Sequence, residues 1–90
     1  MDTLTIRTPG LTPDEQVIDI GVITLVQQTS GTNTVIYTSE TTEGSVILET
    51  SSDPDGKVGD AINNTLLNAN SGNAVLVMPT GISITGVTYA

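Results

Sequence analysis

Thr, Ile and Val supply 34 of the 90 residues: sixteen Thr, nine Ile and nine Val. Branching at Cβ costs rotamer freedom in a helix and suits the pleated surface of a sheet. Phe and Trp are absent and the only aromatic residues are Tyr37 and Tyr89, so any core must be aliphatic. Ninety residues allow one domain, which buries roughly 60–65% of its unfolded surface and gains from further burial against a partner. The expected fold is α+β and mostly β, a single domain over residues 1–90.

Alternation locates the strands. Leu4 and Ile6 alternate with Thr3, Thr5 and Arg7, a short half-buried strand that Pro9-Gly10 ends. Thr12-Pro13-Asp14-Glu15 has the form of a helix start and predicts a single helical turn. Val17 to Thr29 reads as one long strand. Its apolar residues change face near Gly21, through a bulge or through burial on both sides. Ser30-Gly31-Thr32-Asn33 is a hairpin turn leading into a strand over Thr34 to Ser39, and Glu40-Thr41-Thr42-Glu43-Gly44 turns into Ser45–Thr50.

After the break at Ser51–Gly56, Val58, Ala61, Ile62, Thr65, Leu66 and Ala69 form one continuous stripe at helical spacing. Ser71-Gly72 is the expected stop. Asn63, Asn64, Asn68 and Asn70 fill the remaining face. Asn is a poor helix former, so packing must hold this segment. Ala74–Met78, apolar on both faces, predicts a central strand. Ile82–Thr85 predicts the last, with a bulge at Gly86 before Val87 and Tyr89. The expected order is β-β-β-β-α-β-β, about six strands in one sheet or a barrel-like roll, with one amphipathic helix.

Charge is unevenly placed. All ten acids and both bases lie in the first sixty residues, and the formal charge is −8. From Ala61 to Ala90 the only ionisable side chain is the phenol of Tyr89. Arg7 and Lys57 cannot provide the cationic footprint that phosphate backbones need, and no Phe or Trp offers a stacking platform. Direct nucleic-acid binding is therefore not expected, nor attraction to an acidic membrane surface. The start Met1–Thr5 has neither the basic residues nor the apolar run of a signal peptide, and no stretch has the length of a membrane span. The expectation is a soluble chain, in the host cytoplasm or carried by a particle.

Catalytic machinery is scarce. There is no His or Cys, and Lys57 sits among Asp53, Asp55 and Asp60, which favour its charged form. Glu40 with Glu43, or Glu49 with Asp53, is a conceivable carboxylate pair, but hairpin solvation accounts for both. No enzyme activity and no cofactor are expected. Asp53-Pro54-Asp55-Gly56-Lys57-Val58-Gly59-Asp60 resembles part of an EF-hand or dockerin calcium loop, with Asp53, Asp55 and Asp60 as candidate ligands. Ser51 stands where the first acid belongs and Ile62 where the closing acid belongs. The same acids serve equally as a helix N-terminal segment facing the positive end of the dipole. Asn63-Asn64-Thr65 matches a glycosylation sequon within the expected helix.

A neutral, Asn- and Thr-rich surface avoids the cost of burying charge and can satisfy hydrogen bonds across a contact. Asn63, Asn64, Asn68, Thr85 and Tyr89 are the interface candidates of a homo-oligomer or larger protein assembly. The rival reading places these residues in or around the intramolecular core. The segments Ala61–Asn70, Ala74–Pro79 and Ile82–Val87 resemble the end of small uncharacterised proteins of marine phages, of cyanophage type. That resemblance implies a phage-encoded protein, for example a virion component such as a capsid decoration protein. The expected function is structural and non-enzymatic. The alternatives are a small ligand- or metal-binding module and an oligomeric nucleic-acid accessory protein.

Overall fold

The computed structural model of the chain describes residues 2–69 and 72–90. Among these residues seven strands form two sheets, accompanied by one α-helix: β1 (Thr3–Arg7), β2 (Glu15–Asp19), β3 (Ile23–Ser30), β4 (Asn33–Thr38), β5 (Ser45–Thr50), α1 (Lys57–Leu67), β6 (Asn73–Val75) and β7 (Ile84–Tyr89). The mostly β, α+β class expected from composition is what the chain adopts. The strands are divided between a three-stranded sheet, β2-β1-β6, and a four-stranded sheet, β3-β4-β5-β7. That division adds a strand and a sheet to the expected layout.

The cause lies at Gly21. The expected strand over Val17–Thr29 is two strands, separated by a 3-10 turn at Ile20–Val22. Asp19 caps that turn, its Oδ1 accepting from Gly21 N at 2.9 Å. β2 then pairs with β1 while β3 pairs with β4, so the chain changes sheets where its apolar residues change face. The helical turn expected at Thr12–Glu15 is absent. Thr8 N donates to Asp14 O at 2.8 Å and Arg7 pairs with Glu15, which draws Glu15 into β2.

Two irregularities keep the four-stranded sheet amphipathic. In an antiparallel pair, opposed residues share a face, so Val26, Ile36, Val46 and Tyr89 form one row, and Thr34, Leu48 and Val87 the next. Ile84 precedes Val87 by an odd number of residues and would face away in a regular strand. The register shift opposite Glu49 and Thr50 leaves Thr85 unpaired and returns Ile84 to the row of Thr50. The bulge expected beside Gly86 is thus present, with Thr85 as its extra residue. A shift between Ile23 and Leu25 does the same for Ile23 and Val26.

The inner row meets the second sheet and the helix. Leu4, Ile6, Ile18, Ile36, Val46, Leu48, Val58, Ile62 and Leu76 make one buried cluster. Val58 and Ile62 are the fully buried part of the helical stripe, with Ala61 and Leu66 packed beside them. Each large aliphatic side chain buried there contributes on the order of 1.5–3 kcal/mol.

The central strand expected at Ala74–Met78 is corrected. Only Asn73–Val75 is strand. It is the edge of the smaller sheet, pairing in parallel with β1. Leu76 is buried, but Val75 and Val77 are 40% and 79% exposed. The apolar run is therefore half core and half surface. The helix stop expected at Ser71-Gly72 lies partly outside the described residues; α1 itself closes at Leu67, where Asn68 N bonds Asn64 O at 3.1 Å.

Candidate interaction surface

The Asp53 loop is built around the helix start. Asp53 is almost wholly buried, and its two carboxylate oxygens accept from Lys57 N at 2.8 Å and Val58 N at 3.0 Å. Its own amide donates to Gly31 O at 2.8 Å, and its carbonyl accepts from Gln28 Nε2. Gly56 stands at φ +69°, the left-handed conformation that lets the loop fold back onto the first turn. Asp55 and Asp60 are exposed. Asp53 thus spends both oxygens on orphan N–H groups of α1. Among the described residues no group of three acids is gathered that could hold a metal ion.

Of the interface candidates, Asn63 and Asn64 are exposed on α1 and Asn68 is exposed at its C-cap, with Asn68 Nδ2 donating to Asn64 O at 2.8 Å. Thr85 and Tyr89 lie on β7. These groups are not one patch. The helix packs against β3 and β6, whereas β7 is the opposite edge of the four-stranded sheet.

Sequence reasoning missed three members of this surface. Leu67 is 82% exposed, and Val75 and Val77 are also exposed within the chain's neutral third. Leu67 falls outside the helical stripe, and Val77 alternates with buried Leu76. Those two offsets are the signals that could have found them. The large exposed hydrophobic side chains among the described residues are Val17, Leu25, Leu67, Val75, Val77 and Tyr89. Four of the six lie beyond residue 60, where no Lys, Arg, Asp or Glu intervenes.

The open strands differ in protection. β2 carries Glu15 and Asp19, and β6 spans three residues, so both edges of the smaller sheet are blunted. β3 and β7 are the edges of the larger sheet, eight and six residues long, and neither carries a charge. Ser45 and Ala90 exchange both backbone hydrogen bonds, at 3.0 and 2.9 Å. Alternation along the ladder then directs the N–H and C=O of Val87 and Tyr89 away from β5.

A groove of about 370 Å³ runs along β7, walled by Leu11, Pro13 and Gln16 on one side and Val87 and Tyr89 on the other. Tyr89 crosses its end, its hydroxyl donating to Gln16 Oε1. Burial raises the Tyr89 phenol above its ordinary value of 10.0, so it remains a neutral donor at physiological pH. Tyr89 is the one ionisable residue among those lining the groove, which also presents the polar side chains of Thr12 and Gln16. A second groove of about 230 Å³ is lined by Val17, Val22 and Val46 together with Asp19, Glu40 and Glu43.

No protein-family model, curated protein or solved structure matches the chain. No helix among the described residues is long and apolar enough to cross a membrane.

Proposed function

We propose that this protein is a non-enzymatic structural protein that assembles with itself through its uncharged last third. One observation carries the reading: Leu67, Val75, Val77 and Tyr89 stand at the surface of a thirty-residue segment with no Lys, Arg, Asp or Glu. Exposed apolar side chains without intervening charge are what a protein contact uses and what a solitary soluble surface avoids. The exposed Asn63, Asn64 and Asn68 of the same segment supply polar groups that carry no charge-desolvation cost. A virion component such as a capsid decoration protein is the role that the marine-phage resemblance of residues 61–87 adds to this reading.

Light scattering after gel filtration tests it. Mass above that of the monomer, rising with concentration and reduced by Val77→Glu with Leu67→Glu, supports assembly. A strict monomer at high micromolar concentration contradicts it. The second reading, a ligand-binding module, draws on the acid-ringed 230 Å³ groove, and calorimetric titration with a small organic cation tests it.

A further inference from the structure

The two unprotected edges of the four-stranded sheet are different surfaces at opposite ends of one molecule. We propose that copies join head to tail, with β7 of one copy adding antiparallel to β3 of the next. This rests on the self-assembly reading and specifies its geometry.

Four observations favour β3 of a second copy as the occupant of the β7 edge. First, the outward N–H and C=O groups of Val87 and Tyr89 present a row open to an extended partner, and strand addition satisfies such a row with main-chain bonds. Second, the 370 Å³ groove beside Val87 is bounded by Leu11 and Pro13, a site for an uncharged side chain from an added strand. Third, β3 is uncharged over all eight residues, and Leu25 is 53% exposed on its outer face. Thr50 N donates to Thr32 O at 2.8 Å, and the alternation continued across β4 turns the backbone groups of Val26 outward. The acids of β2 and the brevity of β6 exclude the molecule's other edges. Fourth, the strands of the sheet alternate in direction from β3 to β7, so a β3 placed next to β7 is antiparallel and the sheet continues without reversal.

The neutral residues at both ends then have one explanation. The Asn face of α1, a helix that packs against β3, accompanies the β3 end, while Thr85 and Tyr89 accompany the β7 end. A head-to-tail joint brings the two ends together, whereas a two-fold β7–β7 contact leaves the helix end unused. Such a joint is heterologous and generates a ring or a filament according to its rotation. It contains few residues, well short of the roughly 800 Å² per partner of a standard stable interface, so a single joint is weak and growth depends on concentration.

The absence of cysteine makes disulfide trapping clean. Leu25→Cys, Gln27→Cys and Thr88→Cys each place a thiol on an exposed outer-face position without touching the core. Mixing the Thr88→Cys protein with each β3 variant under mild oxidation is expected to yield mixed disulfide dimers, at least fivefold above self-crosslinking. Cα separations of about 4.4–6.8 Å, required for a disulfide, occur between neighbouring strands. Abundant self-crosslinking of Thr88→Cys with no mixed product overturns the head-to-tail joint in favour of a two-fold one. Wild-type oligomers by light scattering with no trapping in any mixture also overturn it, while leaving self-assembly standing. A wild type that stays monomeric overturns both.

Discussion

The Tyr89 hydroxyl donates to Oε1 of Gln16, joining the last strand of one sheet to the edge strand of the other across 73 positions of sequence. Gln16 is buried, and its Nε2 is already committed to Pro13 O at 3.3 Å. Its Oε1 therefore depends on Tyr89. Tyr89→Phe is expected to destabilise the fold by about 1–2 kcal/mol, the usual cost of leaving a buried acceptor without a donor. Thermal unfolding of the two proteins checks this.

The same bond carries a pH dependence. The folded phenol titrates above its unfolded value near 10, because burial disfavours the phenolate. Its stabilising contribution is complete below pH 10 and is lost as pH rises through the folded value, since the unfolded chain releases its proton first. Unfolding temperature measured from pH 8 to 11 should fall at the alkaline end, and Tyr89→Phe should lessen that fall. An equal alkaline decline in both proteins counts against this assignment.

Asp53→Ala removes the acceptor of two backbone N–H groups at the start of α1. A loss of about 2–3 kcal/mol is expected, above the usual cap because the site is buried. Added calcium or EDTA should leave the wild-type unfolding temperature unchanged, because both Asp53 oxygens already hold the helix. A calcium-dependent rise lost in Asp55→Ala would establish a metal site instead.

The β4–β5 turn gives an opposed pair of substitutions. Glu43 has φ +53°, unfavourable for a residue with a Cβ, and Gly44 has no room for one: a Cβ there would meet Glu40 O at 2.6 Å. Glu43→Gly is expected to be neutral or stabilising by up to about 1 kcal/mol. Gly44→Ala should cost about 1–3 kcal/mol because backbone must move. Chemical denaturation of both variants measures the contrast.

Local chemistry was legible in this sequence to the extent that it acts locally. The hairpin at Ser30–Asn33, β5 and the Val58–Ile62 stripe follow from turn residues and periodicity, because adjacent residues determine them. The bulge beside Gly86 was legible as a break in alternation. Sheet membership was not. Nothing in Ile20-Gly21-Val22 distinguishes a bulge from a change of sheet, since that depends on β1 and β4 competing for the flanking strands. Val77 reads as core because hydrophobicity alone carries no sign of what covers a residue. The neutral third was visible at once in the composition, but its separation into a helix end and a β7 end required the topology.

Sedimentation equilibrium of the wild type against Val87→Pro tests self-assembly through the neutral third most directly. The Val87 N–H points away from β5, so proline there removes an outward donor without removing a ladder bond. The wild type should show mass rising with concentration through the micromolar range, and the folded Val87→Pro protein should remain monomeric over that range. A monomeric wild type, or a folded variant that associates as well as the wild type, would contradict assembly at this edge.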